Sequence, residues 1–108
     1  MIQRLPVTFR EDALADLQAI YLIVLERSGN EAVAGGFVQR IMARCRKIGD
    51  APKGGRRRDD LFSGLRTVPF ERRAVIAYLV RDHRIEITNI FYGGQDYEAL
   101  YRTSPADD

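Results

Sequence analysis

The chain has 108 residues, 45% hydrophobic and 30% charged, with a single cysteine. That length suits one compact domain around one core, and a lone cysteine excludes an internal disulfide. The longest wholly apolar runs, Ala19 to Leu25 and Ala74 to Val80, fall far short of the ~20 residues that cross a bilayer. The opening Met1-Ile2-Gln3-Arg4 lacks the pattern of a signal peptide, so a cytoplasmic protein without membrane association is expected.

The net charge of +2 conceals a segregation: from Arg40 to Arg84 there are 13 basic and 5 acidic residues, a net of +8, against −6 for the remainder. A positive surface of that size attracts phosphates or an acidic peptide over about a Debye length, ~8 Å at physiological salt. Its densest part is Arg56-Arg57-Arg58, with Lys53 beside it.

In chain order, Ile2 to Phe9 reads as a short first strand whose paired length Pro6 limits; the sequence does not name its partner. From Glu11 to about Arg27, apolar residues recur at Ala13, Leu14, Leu17, Ile20, Tyr21, Val24 and Leu25, the three-and-four spacing of an amphipathic helix. Glu11, Asp12 and Asp16 favour its N-terminal end, and Ser28-Gly29 closes it. Asn30 then suits the N-cap of a second helix reaching about Ile48, with Val33, Phe37, Ile41, Cys45 and Ile48 on its buried face; Gly49 stops it and Pro52 prevents its resumption. The stretch Asp50 to Asp60 is the one long irregular piece, expected to lie against a sheet edge.

Three strands follow. Leu65 to Phe70 alternates, with Leu65, Thr67 and Pro69 on one face and Arg66, Val68 and Phe70 on the other. Val75 to Val80 is an apolar run rich in β-branched and aromatic types and should be the central strand. Beyond it Ile85, Ile87, Asn89 and Phe91 alternate with Glu86, Thr88, Ile90 and Tyr92, two unlike faces of one strand. Short polar connections, Glu71-Arg72-Arg73 and Asp82-His83-Arg84, make antiparallel hairpins the economical joining. Tyr92-Gly93-Gly94 breaks the strand, Gln95 to about Arg102 reads as one or two helical turns, and Ser104 to Asp108 as a frayed end. The expected fold is α+β, a single domain of order β-α-α-β-β-β: a helix hairpin packed on a small, mainly antiparallel sheet, then a short C-terminal helix.

Catalytic chemistry finds little to work with. His83, the sole histidine, sits in a turn, and Cys45 falls on an apolar helix face, the position of an inert core thiol. One histidine and one cysteine on different elements give no metal-ligand spacing, so neither metal nor cofactor is expected. Asp59-Asp60 are adjacent in a loop and need not converge. Gly54-Gly55 follows a helix and precedes a strand, the reverse of a phosphate-binding loop's setting.

The order of Ala13, Asp16-Leu17, Ile20-Tyr21, Pro52, Gly55-Arg56, Asp60-Leu61, Gly64-Leu65-Arg66, Tyr78 and the run Ile90 to Glu98 resembles the RelE/ParE superfamily of bacterial toxins, specifically the ParE or plasmid-stabilisation branch of type II toxin–antitoxin systems. The resemblance spans about Val7 to Arg102 and implies a small toxin silenced by a cognate antitoxin, a small DNA-binding protein whose acidic or amphipathic C-terminal segment wraps it. It implies DNA gyrase as the target, bound rather than chemically altered, with no direct nucleic-acid binding required. The alternative is a RelE-like ribosome-dependent messenger RNA endonuclease, whose residues here would be Arg66 and Tyr101. Against it, Val75 stands where the RelE-like central strand carries an arginine, and Gln95 falls at about a second arginine position; neither supplies a permanent charge to a pentavalent phosphate.

The resemblance also directs attention to contact surfaces. Ile20, Ile23 and Val24 in the first helix and Val38, Ile41 and Met42 in the second are too many for one stripe facing one sheet. An exposed apolar groove along the hairpin is therefore expected to take an antitoxin helix, with an extended segment reaching Arg56, Arg57 and Arg58. Arg66, Arg73, Arg81, Tyr92 and Tyr97 are assigned to the target contact.

Overall fold

A computed structural model describes residues 4–102, in the order β1 (Val7–Phe9), α1 (Glu11–Ser28), α2 (Glu31–Ile48), β2 (Arg56–Arg57), β3 (Arg66–Phe70), β4 (Ala74–Arg81), β5 (Arg84–Tyr92) and α3 (Tyr97–Arg102). Ile2 and Gln3, expected in the first strand, and the Ser104–Asp108 end lie outside the described residues. The architecture is the expected α+β arrangement with one strand more, because the loop from Asp50 to Asp60 contributes β2. The sheet order is β1-β5-β4-β3-β2, with β4 at its centre. Neighbours run antiparallel except β1, which pairs parallel to β5 from Val7 opposite Ile85 to Phe9 opposite Ile87.

Local chemistry sets the helix ends. Glu11 and Asp12 stand in the first turn of α1, and Gly29, left-handed at φ 64°, returns its N–H to the Leu25 carbonyl at 2.7 Å. The Asn30 side chain then accepts from the N–H groups of Ala32 (2.8 Å) and Val33 (3.2 Å), a cap worth about 1 kcal/mol. The two-residue turn Gly29-Asn30 thus folds α2 back on α1.

The buried stripes are narrower than the sequence suggests. In α1 they are Ala13, Leu17, Ile20 and Val24, and in α2 Ala34, Phe37, Ile41, Cys45 and Ile48. Leu14 and Val33, both expected inside, are 49% and 50% exposed. Each four-residue step overshoots a full turn by roughly 40°, so counting back from Cys45 in fours carries Val33 off the face, and Ala34 takes its place.

Non-glycine residues with positive φ make both hairpin turns, Glu71 and Arg72 (48°, 59°) and Asp82 and His83 (47°, 65°), the handedness that matches strand twist. The alternation expected along β5 does not run unbroken. Register slips between Ala77, opposite Asn89, and Tyr78, opposite Ile87, leaving Thr88 as a bulge. The phase therefore flips: Ile85 and Ile87 face the helices, and after the bulge it is Ile90 and Tyr92 that do so.

Both sheet faces are covered. The helix hairpin lies on one, where Phe37, Ile41, Ile76, Tyr78, Ile85 and Ile87 form the centre of the main core. The other carries Leu65, Ala77, Leu79 and Phe91, roofed by Leu61, Tyr97 and Tyr101.

Candidate functional site

Three places on this frame gather polar chemistry. The first is the end of the 50–60 loop. Tyr78 is fully buried on β4, and its hydroxyl donates to the Pro52 carbonyl at 2.8 Å while accepting from the Gly55 N–H at 3.0 Å. Burial pushes its phenol up from the ordinary tyrosine value, against the opposing pull of the Gly55 N–H. A Cβ at Gly55 would fall 2.5 Å from that hydroxyl, so the loop approaches this closely only with glycine. Arg66 holds the same loop from outside, donating to the carbonyls of Lys53 (3.1 Å) and Gly55 (2.9 Å). The arginine and the strand tyrosine are both committed to backbone.

The second is Arg58. Expected as part of an exposed basic cluster, it is instead 8% exposed, while Arg56 and Arg57 remain at the surface. Its guanidinium donates to Asp60 and to Glu98 of α3 and reaches the Tyr97 hydroxyl at 3.4 Å. The hydrogen bond from Arg58 holds the Asp60 carboxyl below the usual range, and Asp60 and Glu98 raise the guanidinium's own value. Tyr97 stacks on Phe91 at 4.9 Å, and Tyr101 meets the same ring edge-on at 6.4 Å. Buried Arg58 is a latch for α3.

Under α3 lies a small cavity of about 90 Å³ lined by Arg10, Phe62, Leu65, Leu79, Thr88, Asn89 and Tyr101. The Tyr101 hydroxyl is buried without a hydrogen-bond partner among the described residues, and burial pushes it up despite a smaller opposing influence of Thr88. Arg66, the other residue an RNA-cleaving reading would use, donates to the 53–55 loop instead. Asp59 and Asp60 diverge: Asp59 accepts from Gly64 N–H and Arg57, and Asp60 from Arg58. Cys45 is sealed in the core and burial pushes its thiol up to about 12, which leaves it protonated and unreactive at neutral pH. Among the described residues, no group of three or more His, Cys, Asp or Glu could hold a metal ion.

The third is a cleft of about 550 Å³ at the tip of the helix hairpin, lined by Val24, Arg27, Ser28, Val33, Arg72, Arg73, Tyr92, Gly93 and Gly94. Of the five residues assigned to a target contact, Arg73 and Tyr92 meet here. Tyr97, stacked on Phe91, lines an adjoining cavity with the same Arg73 and Tyr92, whereas Arg66 is tied to the loop and Arg81 lies 3.9 Å from Glu86, away from both cavities.

The expected apolar groove is also redistributed. Ile20, Val24 and Ile41 are 2%, 7% and 0% exposed and belong to the main core, because the sheet face is broad enough to take them. Val38 and Met42 are half-buried against that core and only Ile23 is open. The large apolar side chains that α1 does expose, Leu14, Leu22 and Ile23, share no stripe: Leu14 and Ile23, nine residues apart, lie about 180° apart around the helix. The basic segment is likewise partly neutralised in place, through Arg40–Glu71, Arg57–Asp59, Arg58–Asp60 and Arg84–Asp82. Sequence reasoning missed the cleft because Arg27 lies outside the basic stretch and meets Arg72 and Arg73 only through the fold. No helix among the described residues is long and apolar enough to cross a membrane.

None of the curated proteins matches the chain in a direct sequence comparison. A solved structure described as the chromosomal ParDE TA system from P. aeruginosa superposes with a TM-score of 0.73 at 25% identity, covering 83% of this chain and 97% of that one. The sequence model described as ParE toxin of type II toxin-antitoxin system, parDE, matches residues 7–97, from the first strand into the short last helix. The chain therefore belongs to the ParE toxin family of type II toxin–antitoxin systems.

Proposed function

We propose that this toxin is a binding poison of DNA gyrase, held silent by a cognate antitoxin. The observation that carries the reading against RNA cleavage is the commitment of Arg66 and Tyr78 to the carbonyls and N–H of the 52–55 loop. A metal-free ribonuclease needs such groups free to stabilise a phosphate, and the neighbouring positions offer only Val75, half-buried against the second core, and the neutral Gln95. The antitoxin contact, on this reading, uses what remains accessible: Ile23, Val38 and Met42 on the hairpin, and Arg56 and Arg57 on β2, the free edge of the sheet, where an extended acidic segment can add alongside.

The test is direct. Purified protein added to gyrase and relaxed plasmid should block supercoiling and accumulate cleaved DNA, and prior mixing with the antitoxin should restore activity. The same preparation should leave messenger RNA intact on programmed ribosomes. Site-specific cuts there, lost in Arg66→Gln or Tyr101→Phe, would establish the nuclease instead.

A further inference from the structure

The cleft at the hairpin tip is built for a ligand of particular chemistry. Arg27, Arg72 and Arg73 line it, and none of the three has a carboxylate within ion-pairing distance among the described residues, although eight other arginines do. Arg73 lies 6.0 Å over the Phe37 ring and exerts a weaker field on Glu71, whose carboxylate belongs to Arg40. Arg72 is fixed by a left-handed turn at φ 59°. Among the described residues no acidic side chain lines the cleft; its remaining walls are the apolar Val24 and Val33, Ser28, the Tyr92 ring, and Gly93 and Gly94, which carry no side chain.

Its floor is an unfinished strand edge. On β5, the Ile90 N–H points away from β4 and donates to the Asp16 carboxylate at 2.9 Å, while Gly93 N–H donates back to Arg73 at 2.8 Å on the β4 side. By the two-residue period of a strand, the backbone N–H and carbonyl of Tyr92 face outward with those of Ile90. β1 covers only Ile85 to Ile87 of this edge and Asp16 of α1 caps Ile90, so among the described residues the outward N–H and carbonyl of Tyr92, which lines the cleft, have no hydrogen-bond partner.

We infer that this cleft binds an extended acidic peptide with interleaved apolar side chains: its backbone pairs with Tyr92, its carboxylates meet Arg27, Arg72 and Arg73, and an apolar side chain fills the space between Val24 and Val33. An open strand edge offers alternating donor and acceptor, which a peptide satisfies. A polynucleotide would instead need a free aromatic platform, and Tyr92 is engaged edge-on with Phe37 at 5.7 Å. The site lies at the opposite end of β3 from β2, so it is separate from the surface assigned above to the antitoxin, and its occupancy is testable whatever the toxin poisons.

The probe is a fluorescein-labelled hexapeptide alternating aspartate and leucine, titrated with the full chain at low salt and read by anisotropy. Matched probes carry asparagine for aspartate, or are six-nucleotide oligothymidylates. The aspartate–leucine peptide should bind and shift the amide resonances of Gly93 and Gly94. The double variant Arg72→Gln, Arg73→Gln, altered at exposed positions and checked for unchanged circular dichroism, should bind it about tenfold more weakly through loss of charge-assisted hydrogen bonds. No binding, equal binding by the asparagine peptide or by the variant, or tighter binding by the oligonucleotide would each overturn the assignment.

Discussion

The two faces of the sheet are closed by different physics. Among the described residues, sixteen buried ones form one cluster on the hairpin side, and four form the cluster on the α3 side. The first face is held by apolar contact that no single group dominates. The second depends on a six-residue helix with no fully buried residue of its own, docked by the Arg58 guanidinium and a ring stack. Isolated helices of that length do not persist in water, so α3 exists because it is tied down. A face closed by burial fails with the whole fold; one closed by a few directed contacts can open by itself.

That contrast can be broken at graded cost. The largest effect belongs to Phe37→Ala: the ring is 2% exposed and touches Phe70 and Tyr92, and its removal should cost about 3–5 kcal/mol in chemical denaturation. Tyr78→Phe should cost less, about 1–3 kcal/mol, since it keeps the ring but strands the Gly55 N–H and the Pro52 carbonyl. Hydrogen exchange should then rise first at 53–55. Arg58→Met should have the smallest global effect and the most local one: amide protection across Tyr97–Arg102 falls while the denaturation midpoint moves less than in Tyr78→Phe. If protection of α3 survives the change, the latch is not what holds it.

Acid sharpens the last case. Asp60 is held low by its hydrogen bond from Arg58, so the fold favours its charged form. Its contribution is fully present above the ordinary carboxylate range, about pH 4, and is lost as pH falls through the lowered value. Protection of α3, corrected for intrinsic exchange, should drop on acidification below about pH 4 in the parent chain and show no such step in Arg58→Met.

Much of this was legible in the sequence, and the failures have definite causes. The helix hairpin, the central strand and the two tight turns follow from spacing and composition, which are local. The bulge at Thr88 is not, because a one-residue slip leaves the apolar pattern of Ile85, Ile87, Ile90 and Phe91 readable in either phase. Arg58 looks like its neighbours Arg56 and Arg57 until Glu98, forty residues on, arrives beside it. The toxin resemblance rested on order over the whole length, whereas the hairpin groove rested on counting apolar residues, and a count does not say which of them the sheet takes: Ile20, Val24 and Ile41 go to the core, while Ile23, Val38 and Met42 stay accessible. Arg27 and Arg72 come together only in three dimensions, so the cleft had no sequence signature.

The parallel pairing of β1 with β5 sets a schedule for synthesis. Val7 to Phe9 leave the ribosome early, yet their partners, Ile85 to Ile87, follow more than seventy residues later. Until then the N-terminal strand has no ladder to join, and the helix hairpin has no complete sheet beneath it. Local contacts can form within the emerging chain, but closure of the sheet waits on its longest loop. The sheet of this domain is therefore incomplete, by topology alone, until its last strand has been made.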